Sequence, residues 1–284
     1  MNKLKTLLRR TGVVLAVLFV LAALLYTQRS RLADAIDARY AAVAARASFP
    51  FAGCSKVWAH RGYVLGGAPE NSIASVQAAF ALGAAGVEVD ILYDRHDERF
   101  YVSHDHPYQT FDGQPLTLAA LLAATGDAGH FWLDAKNLEN LAPWHAKRAV
   151  SQLAALLDQH GLRERAFVES RHPVYLSWVA AAGLHTSLMV SPNERKYSPA
   201  VYAANVYLMK WAYSLGPFGA ISMTHSRYTP RTASLFGERV PVLLSTVNDD
   251  DRLAALQADP RVRVILTDNN RFASAACAGE AAPH

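Results

Sequence analysis

Between Trp58 and Asp105 the chain carries two histidines, an arginine and several carboxylates: WAHRGYVLGGAPENSIASVQAAFALGAAGVEVDILYDRHDERFYVSHD. His60 and Arg61 end one apolar run, Glu88 and Asp90 alternate in a second, and His104 ends a third. Residues two apart on a strand share a face, so Glu88 and Asp90 can grip one object together. Hard carboxylate oxygens beside imidazoles suit a divalent cation with proton-transfer groups at hand.

Such side chains need a scaffold that brings distant segments to one place. Short β-branched or apolar runs recur along the body, separated by stretches of helical period. The pattern predicts strands at Val57–His60, Gly86–Leu92, His130–Asp134, Ala166–Glu169, Thr186–Val190, Ala220–Met223, Val242–Ser245 and Val262–Leu266. Helices are predicted at Ile73–Leu82, Leu116–Ala124, Ala142–His160, Val174–Ala182, Val201–Lys210, Pro230–Phe236, Asp249–Gln257 and Asn270–Ala276, with a hairpin at Arg99–Ser103. Eight alternating units favour an α/β fold closed as a (β/α)8 TIM barrel over an open sheet. His60, Arg61, Glu88, Asp90, Asp134, Lys136, Glu169, Asn248 and Asp268 all fall at or just past the ends of these strands. In a barrel that is one rim, where active sites sit.

The net charge of +4 misleads if taken whole. Residues 1 to 31 hold six of the 28 basic side chains and no acid, which leaves 22 basic against 24 acidic in the rest. A nearly neutral body offers no electrostatic footprint for nucleic acid. Thr11 to Tyr26 (TGVVLAVLFVLAALLY) is a largely apolar run preceded by Leu7 and Leu8. With its flanks it approaches the ~20 residues that span a bilayer core, so an N-terminal transmembrane helix precedes the barrel in this reading. A cleaved signal peptide is the rival. No small-x-small site follows the run directly, and Ala33 and Ala35 come only after Arg29 and Arg31. Lys3, Lys5, Arg9 and Arg10 outweigh the basic residues beyond the run. That keeps the N-terminus cytoplasmic and the catalytic body outside, in the periplasm if the cell is bacterial. The division is then a tail and anchor over 1–31, a helical, Ala-rich stalk over 32–51, and one barrel domain over 52–284.

Cys54 and Cys277 are the only cysteines. Cys54 precedes the first strand, at the barrel floor. A helix returning from Asp268 descends roughly 13 Å by Cys277 at ~1.5 Å per residue. First and last strands adjoin in a closed barrel, so a disulfide between these thiols fits an extracytoplasmic body. Two unrelated buried thiols are the alternative.

With these residues in place, the chain resembles the glycerophosphodiester phosphodiesterase family. The matching pieces are AHRG at Ala59–Gly62, PENS at Pro69–Ser72, GVEVD at Gly86–Asp90, SHD at Ser103–Asp105, LDAK at Leu133–Lys136, STVN at Ser245–Asn248 and LTDN at Leu266–Asn269. They keep the family's order and cover the body from Val57 to Asn269. The resemblance implies a βα barrel, a divalent metal (Mg²⁺ or Ca²⁺) at the C-terminal rim, and hydrolysis of a glycerophosphodiester to glycerol 3-phosphate and an alcohol. It implies Glu88, Asp90 and Asp134 as metal ligands, with Glu70 a fourth or else a helix N-terminal acid. Asn71 or Ser72 then caps that helix. His60 and His104 are implied as the acid–base pair, in either order, with Arg61 and Lys136 on the phosphoryl oxygens.

Two departures stand out. Family members commonly carry Glu where this chain has Asp134, and many have Trp where it has Ser245, a wall of the alcohol pocket. Asp-x-Lys is also similar to the sphingomyelinase D-like phospholipases, so a lysophospholipase D or sphingolipid-directed enzyme is the alternative. An inactive envelope-binding barrel is a third reading, against which the retained histidines speak. Trp211, Tyr213 and Phe218 are candidates for lipid contact, with buried packing the competing explanation. His96, His106, His145, His172, His185 and His225 match no motif and are expected at the surface or in loops.

Overall fold

The structure, a computed structural model, describes residues 12–17, 19–20, 27–51 and 55–273. Eight strands run parallel around a closed ring: β1 (Val57–His60), β2 (Gly86–Asp94), β6 (His130–Ala135), β7 (Ala166–Ser170), β8 (His185–Met189), β9 (Ala220–Thr224), β10 (Val242–Ser245) and β11 (Val262–Thr267). The ring closes where β1 pairs on one side with β11 and on the other with β2. β3 (Arg99–Val102) folds back antiparallel on the outer end of β2, and a small ribbon of β4 (Thr110–Phe111) and β5 (Gln114–Pro115) follows. This is the expected eight-fold barrel.

Helices α2 (Ile73–Ala81), α3 (Leu118–Thr125), α4 (Pro143–Gln159), α5 (Pro173–Ala181), α6 (Pro199–Tyr213), α7 (Pro230–Phe236) and α8 (Asp250–Ala258) follow barrel strands and lie outside the ring. Local chemistry starts them. Ser72, Thr117, Thr229 and Asp249 each accept a backbone N–H of the first turn, and proline opens α4, α5, α6 and α7. The last predicted helix is described only as a 3₁₀ turn, Asn270–Ala273.

Strand residues alternate between two cores. Outward side chains such as Val57, Val87, Val89, Leu133 and Val168 pack against the helices. Inward ones, Trp58, Trp132, Phe167, Ala220, Leu243, Val264 and Leu266, fill the lumen. Gly86 is needed here: a Cβ on it would lie 2.4 Å from the Trp58 ring.

The segment expected to be a stalk packs onto the barrel instead. Helix α1 (Arg29–Ala44) lies along α6, with the Lys210 ammonium 2.6 Å from Asp37 Oδ1 and the Tyr207 hydroxyl donating to Asp37 Oδ2 at 3.2 Å. The rings of Tyr40 and Tyr213 meet edge to face at 5.4 Å. Beyond α1, Phe49 and Phe51 enter the lumen from below. Phe51 contacts Trp58, His130, Phe167 and His185, so the floor is closed by aromatic packing. His185 therefore belongs to the lumen floor rather than a loop, and His172 caps α5 through Nδ1. Tyr213 and Phe218 are buried; Trp211 is half exposed.

Residues 12–17 and 19–20 of the apolar N-terminal run are helical, and Val13, Val14, Leu15, Val17, Phe19 and Val20 are exposed. Among the described residues no helix is long and apolar enough to cross a membrane, and the rest of the expected anchor lies outside them. Cys54 and Cys277, the expected disulfide pair, also lie outside the described residues.

Candidate active site

Parallel pairing sets the carboxylates side by side at the C-terminal rim. Asp90 on β2 is in register with Asp134 on β6, which is in register with Glu169 on β7. Glu88, Asp90 and Asp134 are all buried, and each offers an oxygen within 4.8 Å of the others. The Lys136 ammonium bridges Asp134 and Asp90, lying 2.9 Å from Asp90 Oδ1. Asp90 Oδ1 therefore already faces a cation, at a position a divalent ion would share or take over.

Arg61 ties the site to β1. Its backbone is left-handed (φ 54°), which turns its N–H onto Glu88 Oε2 at 3.1 Å and its guanidinium onto Asp90 Oδ2 at 2.9 Å. Gly62 follows with φ 84°, and any Cβ there would collide with Ser75. Glu70 sits outside the carboxylate cluster, half exposed, with both oxygens accepting from the Arg61 guanidinium. Ser72 caps α2, while the fully buried Asn71 spans to Asp90, donating to Oδ2 at 2.9 Å and accepting the Asp90 N–H at 3.0 Å. That role for Asn71 is invisible in the sequence, where the neighbouring serine explains the helix start equally well.

The two histidines arrive from different elements but are held alike. His60 ends β1, its Nδ1 2.8 Å from Asp268 Oδ1 and its Nε2 3.9 Å from Glu88 Oε2. Asn248 donates to the other Asp268 oxygen at 2.6 Å, so the loop after β10 braces the last strand against the first. His104 places Nδ1 2.7 Å from Asp105 Oδ2 and lines an open cavity of about 350 Å³ with Asp134, Lys136 and Arg171. A carboxylate at Nδ1 favours the proton there and leaves Nε2 to exchange protons. Asp268 and Asn248 stand among the strand-end residues in the sequence, and Asp105 lies inside SHD, but nothing there pairs them with a histidine.

Electrostatics report an excess of negative charge. Burial, then Asp90 and Asp134, push Glu88 well above the usual carboxylate range. Burial also raises Asp134, against the pull of Lys136. Asp90 goes the other way: burial would raise it, but Lys136, Arg61 and the Asn71 hydrogen bond together hold it below the usual range. Glu169 is raised well above the usual range by burial and by Asp134. Three buried carboxylates against two cations form a donor set that fits a hard divalent ion.

No model of a known protein family matches the chain, and no curated protein matches it in sequence. Solved structures do. A glycerophosphodiester phosphodiesterase from Parabacteroides distasonis is similar at 20% identity and TM-score 0.55, over 77% of this chain and 94% of that one. One from Thermotoga maritima gives 16% and 0.56, over 76% and 96%. A phosphodiesterase from Oleispira antarctica, solved with the product sn-glycerol-3-phosphate, gives 16% and 0.56, over 78% and 96%. The chain shares the barrel fold of these glycerophosphodiester phosphodiesterases.

Proposed function

We propose that this protein is a metal-dependent phosphodiesterase that hydrolyses glycerophosphodiesters to glycerol 3-phosphate and an alcohol. The observation that carries the reading is the placement of two carboxylate-braced imidazoles beside a buried three-carboxylate cluster at one barrel mouth. The fold it shares with glycerophosphodiester phosphodiesterases supports it.

Glu88, Asp90 and Asp134 would hold the divalent cation, Mg²⁺ or Ca²⁺, which when bound supplies Lewis acidity and neutralises the phosphodiester's charge. Arg61 and Lys136, already against Asp90, stand where phosphoryl oxygens can be held by charge-assisted hydrogen bonds. His60 and His104 exchange the two protons of the reaction, one taken from the attacking nucleophile and one given to the departing alcohol oxygen. Asp268 and Asp105 fix the ring orientation and tautomer of each.

The apolar run before α1 serves in this reading as a membrane anchor, with the N-terminus cytoplasmic and the barrel outside. Its exposed Val13, Val14, Leu15, Val17, Phe19 and Val20 side chains support that role. They also favour a second reading, a lipid-directed enzyme that acts on lysophospholipids. The test offers purified full-length protein in detergent glycerophosphocholine or lysophosphatidylcholine, with divalent metal or chelator. Glycerol 3-phosphate released from the first, and abolished by chelator, is the expected result. Activity on the lipid alone selects the second reading, and activity indifferent to chelator excludes both.

A further inference from the structure

We infer that the catalytic rim of the barrel is the face turned toward the bilayer. Helices α1 and α6 run in the same direction. Asp37 meets Tyr207 and Lys210, and three residues on, Tyr40 meets Tyr213, so both chains advance together. Helix α6 follows β8 and starts at the C-terminal rim. Helix α1 therefore also starts there and descends to the floor, where Phe49 and Phe51 plug the lumen. Its 16 residues cover roughly 24 Å at ~1.5 Å per residue, about the height of a barrel wall.

This direction matters because there is no spacer. The apolar run ends at Tyr26, and only Thr27 and Gln28 precede Arg29. A chain leaving the bilayer at Tyr26 enters the domain at the rim that holds Glu88, Asp90 and His60. The floor is then the far side.

The rim itself is suited to that position. Large apolar side chains are exposed on four separate connections that follow barrel strands: Leu65 (64%), Trp144 (70%), Val174 (42%) and Val201 (52%). An open cavity of about 400 Å³ beside the mouth is lined by Arg195, Lys196 and Arg227. Glu194, in the same wall, already accepts the Thr229 hydroxyl at 2.6 Å. Among the described residues no carboxylate pairs with Arg195 or Lys196. Isolated apolar side chains on the same rim as basic ones match the acyl boundary and phosphate layer of a leaflet. A mouth so placed meets phosphodiesters carried by leaflet lipids.

One feature competes. Leu208 and Trp211 on α6, and Leu215 just past its end, continue an exposed apolar line toward the floor, which would suit a barrel lying on its side. The inference rests on the membrane anchor proposed above and is independent of hydrolysis, so turnover of soluble glycerophosphocholine tests the catalytic reading separately. The experiment is hydroxyl-radical footprinting of the full chain in nanodiscs of phosphatidylcholine mixed with phosphatidylglycerol. Trp144 and Trp211 serve as internal reporters, since both are at least half exposed. Oxidation of Trp144 several-fold below that of Trp211 is expected, with Leu82 at the floor fully reactive. Any other pattern overturns the inference, whether Trp211 is shielded, both are open, or both are covered. So does failure of the chain to enter the discs.

Discussion

His60 Nδ1 and Asp268 Oδ1 stand 2.8 Å apart across the seam where the last barrel strand meets the first. Asp268 is itself held low in pKa, chiefly by the His60 hydrogen bond. Replacing it by Asn keeps the shape and removes the charge. Asp268→Asn should cut kcat by about 10–100-fold while metal affinity and KM change little. Steady-state kinetics with isothermal titration of the metal would separate these quantities.

Glu88 should carry an opposite pair of effects. Its raised carboxyl binds a proton more tightly folded than unfolded. Its contribution therefore favours the fold at acidic pH and is lost as pH rises from the usual carboxylate range through the raised value. Without metal, Glu88→Gln should raise the melting temperature increasingly as pH climbs through that raised value, because the ionised carboxylate that burial disfavours is gone. With metal, the variant should show little of the stabilisation that the native chain gains. Scanning calorimetry with and without Mg²⁺ checks both, and a wild-type metal response stronger at neutral than at acidic pH completes the pattern.

Phe51 closes the lumen floor while remaining far from the rim. Phe51→Ala should cost about 3–5 kcal/mol of unfolding free energy through the cavity it leaves. Activity below the new melting transition should survive. Urea unfolding beside a kinetic assay on the same preparation tests the separation of floor from mouth.

Asp259 is a largely covered acid with an acid-range signature. Arg261 donates to it through Nε at 2.9 Å and Nη2 at 2.7 Å, which chiefly lowers its pKa to about 2. That stabilisation is full above the unfolded aspartate value and disappears as pH falls toward the folded one. Arg261→Ala should lose on the order of 1 kcal/mol near neutrality, after solvent screening, and almost nothing at strongly acidic pH. Denaturant midpoints across that range measure it.

Much of the barrel was legible because parallel strands buried on both faces must be short apolar runs, and β1 and β10 match their predicted bounds. Helix α6 extends beyond its prediction at both ends, since Pro199 opens it and the buried Tyr213 packs its last turn. The docking of α1 could not be read: Asp37 and Lys210 are 173 positions apart, and neither signals the other. Phe49 and Phe51 are ordinary apolar residues until a lumen exists to receive them. Glu88, Asp90 and Asp134 could be grouped because strand alternation and rim position are local properties. The partners of the histidines could not, because Asp268 faces His60 only through closure of the ring.

Arg61 grips two carboxylates with two parts of itself, the main-chain N–H on Glu88 and the guanidinium on Asp90. Its left-handed backbone makes this possible, and glycine adopts that conformation without strain. Arg61→Gly therefore splits one residue into separable halves: the amide anchor is preserved while the cationic arm is deleted. Scaffold and reagent coincide at this position, and a single substitution can tell them apart.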